Sequence, residues 1–166
     1  GIFQKYVRIY GFSEFEAVKK SEIRINLGCN QDCLFCNTDE NAENVILNPD
    51  QIKEHILKCK KEGVNYFIIS GKEPSLDSNL IDYIKRANGI NKIELQTNAI
   101  HFSESENAKK IKEAGLTHAF VSIHAHNEDL SSKITRVPRT FEKTIKGIIN
   151  LRDVGIEITA NIVINK

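Results

Sequence analysis

Cys29, Cys33 and Cys36 stand in a C-x3-C-x2-C arrangement, directly after the strand-like run Glu22-Ile23-Arg24-Ile25-Asn26-Leu27-Gly28. Three of the chain's four cysteines therefore fall on one short loop. A loop lets closely spaced side chains turn inward together, so three thiolates can converge on one metal centre. Thiolates are the soft ligands that select zinc, copper(I) or iron–sulfur clusters. A four-iron cluster ordinarily takes four thiolates, and here the fourth, Cys59, lies far along the chain in helical sequence. Three ligands leave one metal position open, and an open position separates reactive metal sites from closed structural ones. The loop reads as a reactive centre that binds an exogenous group. Zinc completed by a histidine is the competing metal reading. Core packing is a poor account of three cysteines in so short a span, although a single cysteine is most often a small buried hydrophobe. A disulfide framework is disfavoured by the odd count in the cluster and by the lack of a secretory signal.

The elements that must position this loop are legible as alternating short apolar runs and amphipathic stretches. Strands are expected over 23–27, 66–70, 92–96, 118–124 and 156–164. Tyr66-Phe67-Ile68-Ile69-Ser70 is nearly all apolar, as a buried parallel strand should be. Helices are expected from Asn48-Pro49-Asp50 to Gly63, over 79–87, over 107–114, and from Thr140 as cap to Gly155. Cys59 falls on the apolar face of the first of these and reads as helix core. Five strands alternating with four helices predict a parallel α/β sheet. The fold class expected is a partial (β/α) barrel, open and truncated after the fifth strand, because the chain stops on a strand with no covering helix. Residues 1–21 read as an N-terminal extension and residues 22–166 as the core domain. In such sheets the reactive groups gather at the carboxyl ends of the strands. Those ends carry the cysteines, then Ser70-Gly71-Lys72-Glu73-Pro74, then Gln96-Thr97-Asn98, then Ser122 and His124, then Asn161.

Composition narrows the function classes. The 166 residues are 40% hydrophobic and 27% charged, which suits one globular domain with a sizeable core. A net charge of +1 points to neither nucleic acid nor an anionic membrane surface. No apolar run approaches the roughly 20 residues of a membrane span. Free thiols without a signal sequence favour a reducing cytoplasm. No G-x-G-x-x-G or Walker loop is present. His55, His101 and His118 stand alone in the sequence and read as structural or exposed.

Taken together, these residues resemble the radical S-adenosylmethionine (radical SAM) superfamily, over most of the chain from Glu22 to Lys166. Cys29-x3-Cys33-Leu34-Phe35-Cys36 matches the family's C-x3-C-x-aromatic-C loop after the first strand. The resemblance implies that Cys29, Cys33 and Cys36 bind a [4Fe–4S] cluster whose open iron takes the amino and carboxylate groups of SAM, with Phe35 beside the adenine. Gly71-Lys72-Glu73-Pro74 is similar to the family's Gly-Gly-Glu-Pro turn, with Lys72 in place of the second glycine. Glu73 is then the acceptor of the methionine ammonium through charge-assisted hydrogen bonds. By the same resemblance Ser122 contacts SAM and Arg136 clamps its carboxylate, as a planar guanidinium can. Thr97 and Asn161 lie near the ribose or methionine. The implied partner is an external one-electron donor of flavodoxin or ferredoxin type, and the implied reaction is hydrogen abstraction by a 5′-deoxyadenosyl radical. The runs Phe120-Val121-Ser122-Ile123-His124-Ala125-His126 and Thr140-Phe141-Glu142-Lys143-Thr144-Ile145-Lys146-Gly147-Ile148 resemble the branch that includes peptide-modifying maturases, which makes a peptide the favoured substrate class. The alternative is a non-catalytic metal-binding module, a zinc site or an electron-transfer iron–sulfur protein. Glu73 and Arg136 discriminate, since an electron carrier has no use for SAM anchors.

Overall fold

The computed structural model describes residues 18–36 and 48–163. Most of the expected N-terminal extension, residues 37–47 and the end of the last expected strand, Ile164, lie outside the described residues. Five strands form one sheet: β1 Lys20–Arg24, β2 Tyr66–Ser70, β3 Lys92–Thr97, β4 His118–Ser122 and β5 Glu157–Asn161. Their spatial order follows their chain order, and every neighbouring pair is parallel. The result is an open parallel sheet, a partial barrel of the α/β class.

Five α-helices are described: α1 Pro49–Lys61, α2 Leu80–Ala87, α3 Ser105–Ala114, α4 Glu128–Thr135 and α5 Phe141–Asp153. Asn48 starts α1 with a reciprocal cap. Its Oδ1 accepts from the Asp50 and Gln51 backbone N–H groups at 3.1 and 3.0 Å, and the Gln51 side chain accepts from the Asn48 N–H at 2.9 Å. Ile52, Ile56 and Cys59 form the buried stripe of α1, the spacing that one helix face requires.

The period of two along each strand sorts residues to opposite faces of the sheet. Ile23, Phe67, Ile69, Ile93, Leu95, Ala119 and Val121 enter the apolar core. The opposite, inner face is mostly polar, with Ile68 and Phe120 as its apolar members. Tyr66, Glu94, His118 and Glu157 share it low in the strands, where Tyr66 Oη donates to Glu94 at 2.6 Å and His118 meets Glu157 at 2.9 Å. Arg24, Ser70, Gln96, Phe120 and Thr159 share the next register row up. A core on one face and polar groups on the other give the barrel an interior able to receive a ligand.

Strands β4 and β5 end short of expectation, at Ser122 and Asn161, and three further elements differ from the sequence expectation. The β1 ladder starts at Lys20, earlier than expected, and ends at Arg24. Ile25 still donates to Ser70 O at 3.0 Å, but Asn26 then turns to the β2 loop and Leu27 is left 39% exposed. Helix α4 was not expected. Its buried residues are Ser131 and Thr135, so it carries no apolar stripe to detect. Thr140 occupies the cap position of α5 without making a side-chain cap bond. The Glu128 carboxylate does that work from α4, accepting from Phe141 N at 3.1 Å and Arg139 N at 2.6 Å. Inside α5, Gly147 faces the carbonyl of Ala99 so closely that a Cβ there would collide with it. That close approach seats α5 against the short 3-10 turn Ile100–Ser103 that follows β3.

Candidate active site

A cavity of about 290 Å³ opens at the carboxyl ends of the strands. The loop after β1 contributes Cys29, Cys33, Phe35 and Cys36 to its wall. The turn after β2 contributes Gly71 and Glu73, and the end of β3 contributes Thr97. Ser122 and Asn161 enter from the ends of β4 and β5. Nine of the eleven residues singled out in the sequence thus meet at one place. Gln96, Ser122 and Asn161 offer side chains that make no hydrogen bond among the described residues, so they remain available to a ligand.

Two of the expected site residues stand elsewhere. Pro74 is buried as the first residue of a 3-10 turn and does not line the cavity. Arg136 also lies outside the cavity wall. Its guanidinium already binds Asp32, with Nε donating to the backbone oxygen at 2.6 Å and Nη2 to Oδ1 at 2.9 Å.

Glu73 is the most constrained group of the site. It is 1% exposed. Its Oε1 accepts from Thr97 Oγ1 at 2.6 Å and Ser75 N at 3.1 Å, and its Oε2 accepts from Asn98 N at 2.7 Å. All three donors are neutral, and no Lys, Arg or His lies within ion-pair distance of it among the described residues. A buried carboxylate held only by neutral donors is a ready acceptor for a cation, because burial strengthens charge pairing that water would otherwise screen. Thr97 is therefore spent on Glu73, and its hydroxyl also accepts from Ala99 N at 3.0 Å.

The turn that carries Glu73 is stitched to the cysteine loop. Lys72 N donates to Asn26 O at 3.3 Å, Glu73 N to Gly28 O at 2.9 Å and Asn26 Nδ2 to Glu73 O at 2.7 Å. Gly71 has φ 156°, and a Cβ there would collide with Asn26 Oδ1. Only glycine tolerates both conditions. Asn98 Nδ2 reaches Asn30 Oδ1 at 2.6 Å, a second tie between the β3 end and the cysteine loop. Asn26 and Asn30 were not singled out in the sequence. Isolated asparagines in a loop carry no pattern, and their roles depend on partners more than forty residues away.

The cysteines are free thiols. Burial pushes the Cys29 thiol up, and the Glu73 carboxylate and the Cys36 sulfur add to the rise. Burial pushes Cys33 up to about 11, reinforced by the charges of Cys29 and Cys36. These three sulfurs are near enough to feel one another, yet no three His, Cys, Asp or Glu side chains among the described residues converge as they would around a single ion. A cubane of four irons is wider than one ion, so its ligands stand farther apart. The donor set fits a soft cluster, and Glu73 across the cavity fits an ammonium on the group that completes it.

His124, just past the end of β4 and not among the expected site residues, lines the cavity too. Its Nδ1 accepts from Val163 N at 3.1 Å, and its ring meets the Phe35 edge with centroids 4.5 Å apart. Burial holds the imidazole below its usual value, towards the neutral form. With Nδ1 accepting, Nε2 carries the proton.

The family profile described as "Radical SAM superfamily" matches residues 23–166. The chain belongs to the radical SAM superfamily. Members use a [4Fe–4S] cluster with SAM. A protein called "Probable GTP 3′,8-cyclase" from Saccharolobus solfataricus is 32% identical over 151 residues, covering 87% of this chain and 48% of that protein. The chain therefore spans about half the length of this curated relative. SuiB of Streptococcus suis bound to S-adenosylmethionine superposes with a TM-score of 0.70 at 20% identity, over 98% of this chain and 36% of the other. The structure described as native anSMEcpe with bound AdoMet gives 0.62 at 16% identity, over 84% and 43%. Both likenesses establish the radical SAM fold. No described helix is long and apolar enough to cross a membrane.

Proposed function

We propose that this chain is the catalytic core of a radical SAM enzyme, with Cys29, Cys33 and Cys36 as the cluster ligands and Glu73 as the anchor of the SAM ammonium. Cys29, Cys33 and Cys36 would hold the cluster, which, once reduced by an external donor, would supply the one electron that cleaves the sulfur–C5′ bond of SAM to methionine and a hydrogen-abstracting 5′-deoxyadenosyl radical. The protein's own residues bind and orient. Glu73 fixes the ammonium end, Gln96, Ser122 and Asn161 offer hydrogen bonds across the floor of the cavity, and Phe35 with His124 forms its aromatic side. The observation that carries this reading is the buried Glu73 carboxylate, facing the three-cysteine loop and held by neutral donors alone among the described residues.

At the floor of the cavity and along the same register row, Arg24, Gln96 and Thr159 carry hydrogen-bonding side chains, while Ser70 Oγ is taken up by Glu22 at 2.8 Å. Such a row favours a substrate rich in acceptors. A nucleotide meets that requirement, and it is the substrate named for the 32% identical relatives. The peptide class expected from the sequence is supported by likeness of fold alone, and it is the second reading.

The test is anaerobic assembly with iron and sulfide, then EPR of the reduced protein with and without SAM. A SAM-dependent change in the cluster signal is expected. A signal indifferent to SAM, or stoichiometric zinc with no iron uptake, overturns the reading. Release of 5′-deoxyadenosine stimulated by GTP supports the nucleotide class, and stimulation by peptide alone overturns it.

A further inference from the structure

We propose that helix α4 and Arg136 form a clasp that positions the cysteine loop, and that Arg136 acts on the cluster loop through Asp32 instead of touching SAM. This inference rests on the assignment of Cys29, Cys33 and Cys36 as the cluster ligands.

The cysteine loop has no helix or strand of its own between β1 and α1 among the described residues, apart from a turn at Leu34 and Phe35. Something outside it must hold its shape. The last turn of any α-helix leaves carbonyl groups without intrahelical donors. In α4 these include the carbonyls of Ile134 and Thr135, and the cysteine loop fills them. Leu34 N donates to Ile134 O and Asp32 N to Thr135 O, both at 2.9 Å. The loop thus caps α4 from about one hundred residues away, and the helix fixes two backbone points that flank Cys33.

Arg136 closes the clasp. It follows the last residue of α4 with φ 57°, a left-handed turn that ends the helix and sends its side chain back. Its guanidinium then takes both the backbone oxygen and the carboxylate of Asp32. Asp32 is gripped at N, O and Oδ1, one residue before a cluster ligand. The clasp is braced in turn. Glu128, at the start of α4, accepts from Ser132 Oγ at 2.6 Å and from the Arg139 and Phe141 N–H groups, which ties the segment after Arg136 to α4 itself. A guanidinium with two of its donors occupied at 2.6 and 2.9 Å, outside the cavity wall, is engaged with the loop and not with a ligand in the cavity.

The test compares Arg136→Ala, Asp32→Ala and the charge swap Asp32→Arg/Arg136→Asp with the wild-type chain and with the remote control Arg152→Ala. Aspartate tolerates the left-handed conformation at 136 better than most residues. Each protein is loaded anaerobically with iron and sulfide. Three readouts follow: the rate of iron release to a chelator, the EPR line width of the reduced cluster, and the dissociation constant for SAM. The side chains of the pair are 50% and 71% exposed. A pair so exposed supports an acceleration of iron release of about threefold to tenfold on its loss. The EPR signal should broaden as the loop samples more conformations. The swap should return both readouts most of the way to wild type, which a generally damaged fold does not do. High salt should speed iron release from the wild type but not from Arg136→Ala, because salt screens only an existing exposed pair. The wild-type half of this comparison needs no variant: iron release from the wild type that is indifferent to salt overturns the ion pair as a support of the loop. Wild-type release rates in all variants overturn the clasp. So does an Arg136→Ala protein that holds its iron normally but binds SAM weakly, since that result returns the guanidinium to the SAM carboxylate. A wild-type chain that assembles no cluster overturns the family-based site reading instead, and the two failures are distinguishable.

Discussion

The Glu73 turn and the α4 clasp grip neighbouring parts of one cavity, and they use opposite physics. Glu73 is buried and is held by three neutral donors on short segments directly continuous with β2 and β3. The Arg136–Asp32 pair is an exposed ion pair, backed by two backbone bonds to the end of a short helix. In the buried region each donor loses its partner among the described residues if the acceptor goes, and burial limits how far water can replace it. At the clasp, water and salt can stand in for either partner. The inner support should therefore be brittle and the outer one adjustable.

The comparison can be broken most decisively at the ligands. Replacing Cys29, Cys33 or Cys36 with alanine should abolish the [4Fe–4S] content, measured as iron and sulfide after anaerobic assembly. Cys59→Ala should retain it. Cys59 is 3% exposed on α1 and contacts Ser21 and His55, far from the loop in the hydrogen-bond network. Loss of iron in Cys59→Ala removes the three-ligand argument.

The next largest effect belongs to Glu73. Glu73→Ala removes the acceptor of the Thr97 hydroxyl and of the Ser75 and Asn98 N–H groups, all in buried residues. With about 1–3 kcal/mol for each unsatisfied buried group, and not fully additive, the loss of stability should be on the order of 3–5 kcal/mol. Denaturant melts of the apo chain measure it. Glu73→Gln keeps an acceptor and should cost much less stability, while weakening SAM binding by about tenfold to a hundredfold through loss of the charged hydrogen bond. Equal SAM affinity in Glu73→Gln and wild type removes Glu73 from the ammonium site.

Gly71→Ala sharpens the same contrast without changing charge. The positive φ and the collision with Asn26 should cost about 1–3 kcal/mol and should also slow cluster assembly, because Asn26 leads into the cysteine loop. A neutral outcome in both melts and assembly shows that the turn relaxes freely, and that the inner support is not brittle.

The smallest effect is expected from His124. Burial lowers its folded value, so the unfolded chain binds the proton more readily. Its contribution to stability is then fully present above the unfolded value near 6.5 and is lost as pH falls through and below it. The melting temperature of wild type should drop more than that of His124→Gln between neutral and mildly acidic pH. Identical pH profiles rule out this role for the imidazole.

The local features of this protein were legible in its sequence. The cysteine spacing, the apolar run Phe67-Ile68-Ile69, the Asn48-Pro49 helix start and the Gly71–Pro74 turn each announce themselves within a few residues, because ligand spacing, strand burial and turn chemistry are short-range requirements. Their βα alternation was sufficient to place the reactive residues at one end of a parallel sheet. Helix α4 escaped because it buries Ser131 and Thr135 and leaves Leu130 37% exposed, so hydrophobic periodicity carries no trace of it. The one local signal was Asn127 as a cap, whose Oδ1 accepts from Leu130 N at 2.9 Å, with Glu128 and Asp129 behind it.

Sequence alone thus determined which groups could do chemistry and on which edge of the fold they lie. Tertiary structure decided which partner each charged group takes. Arg136 is equally suited, by type, to a SAM carboxylate or to an aspartate, and its bonds to Asp32 follow only from the arrival of that residue beside the end of α4. Glu73 was an exposed-looking turn residue until β3 brought Thr97 and Asn98 against it. The physical reason is common to both: charge pairing and buried hydrogen bonding depend on distances of about 3 Å between groups remote in sequence, and no pattern along one chain segment encodes them.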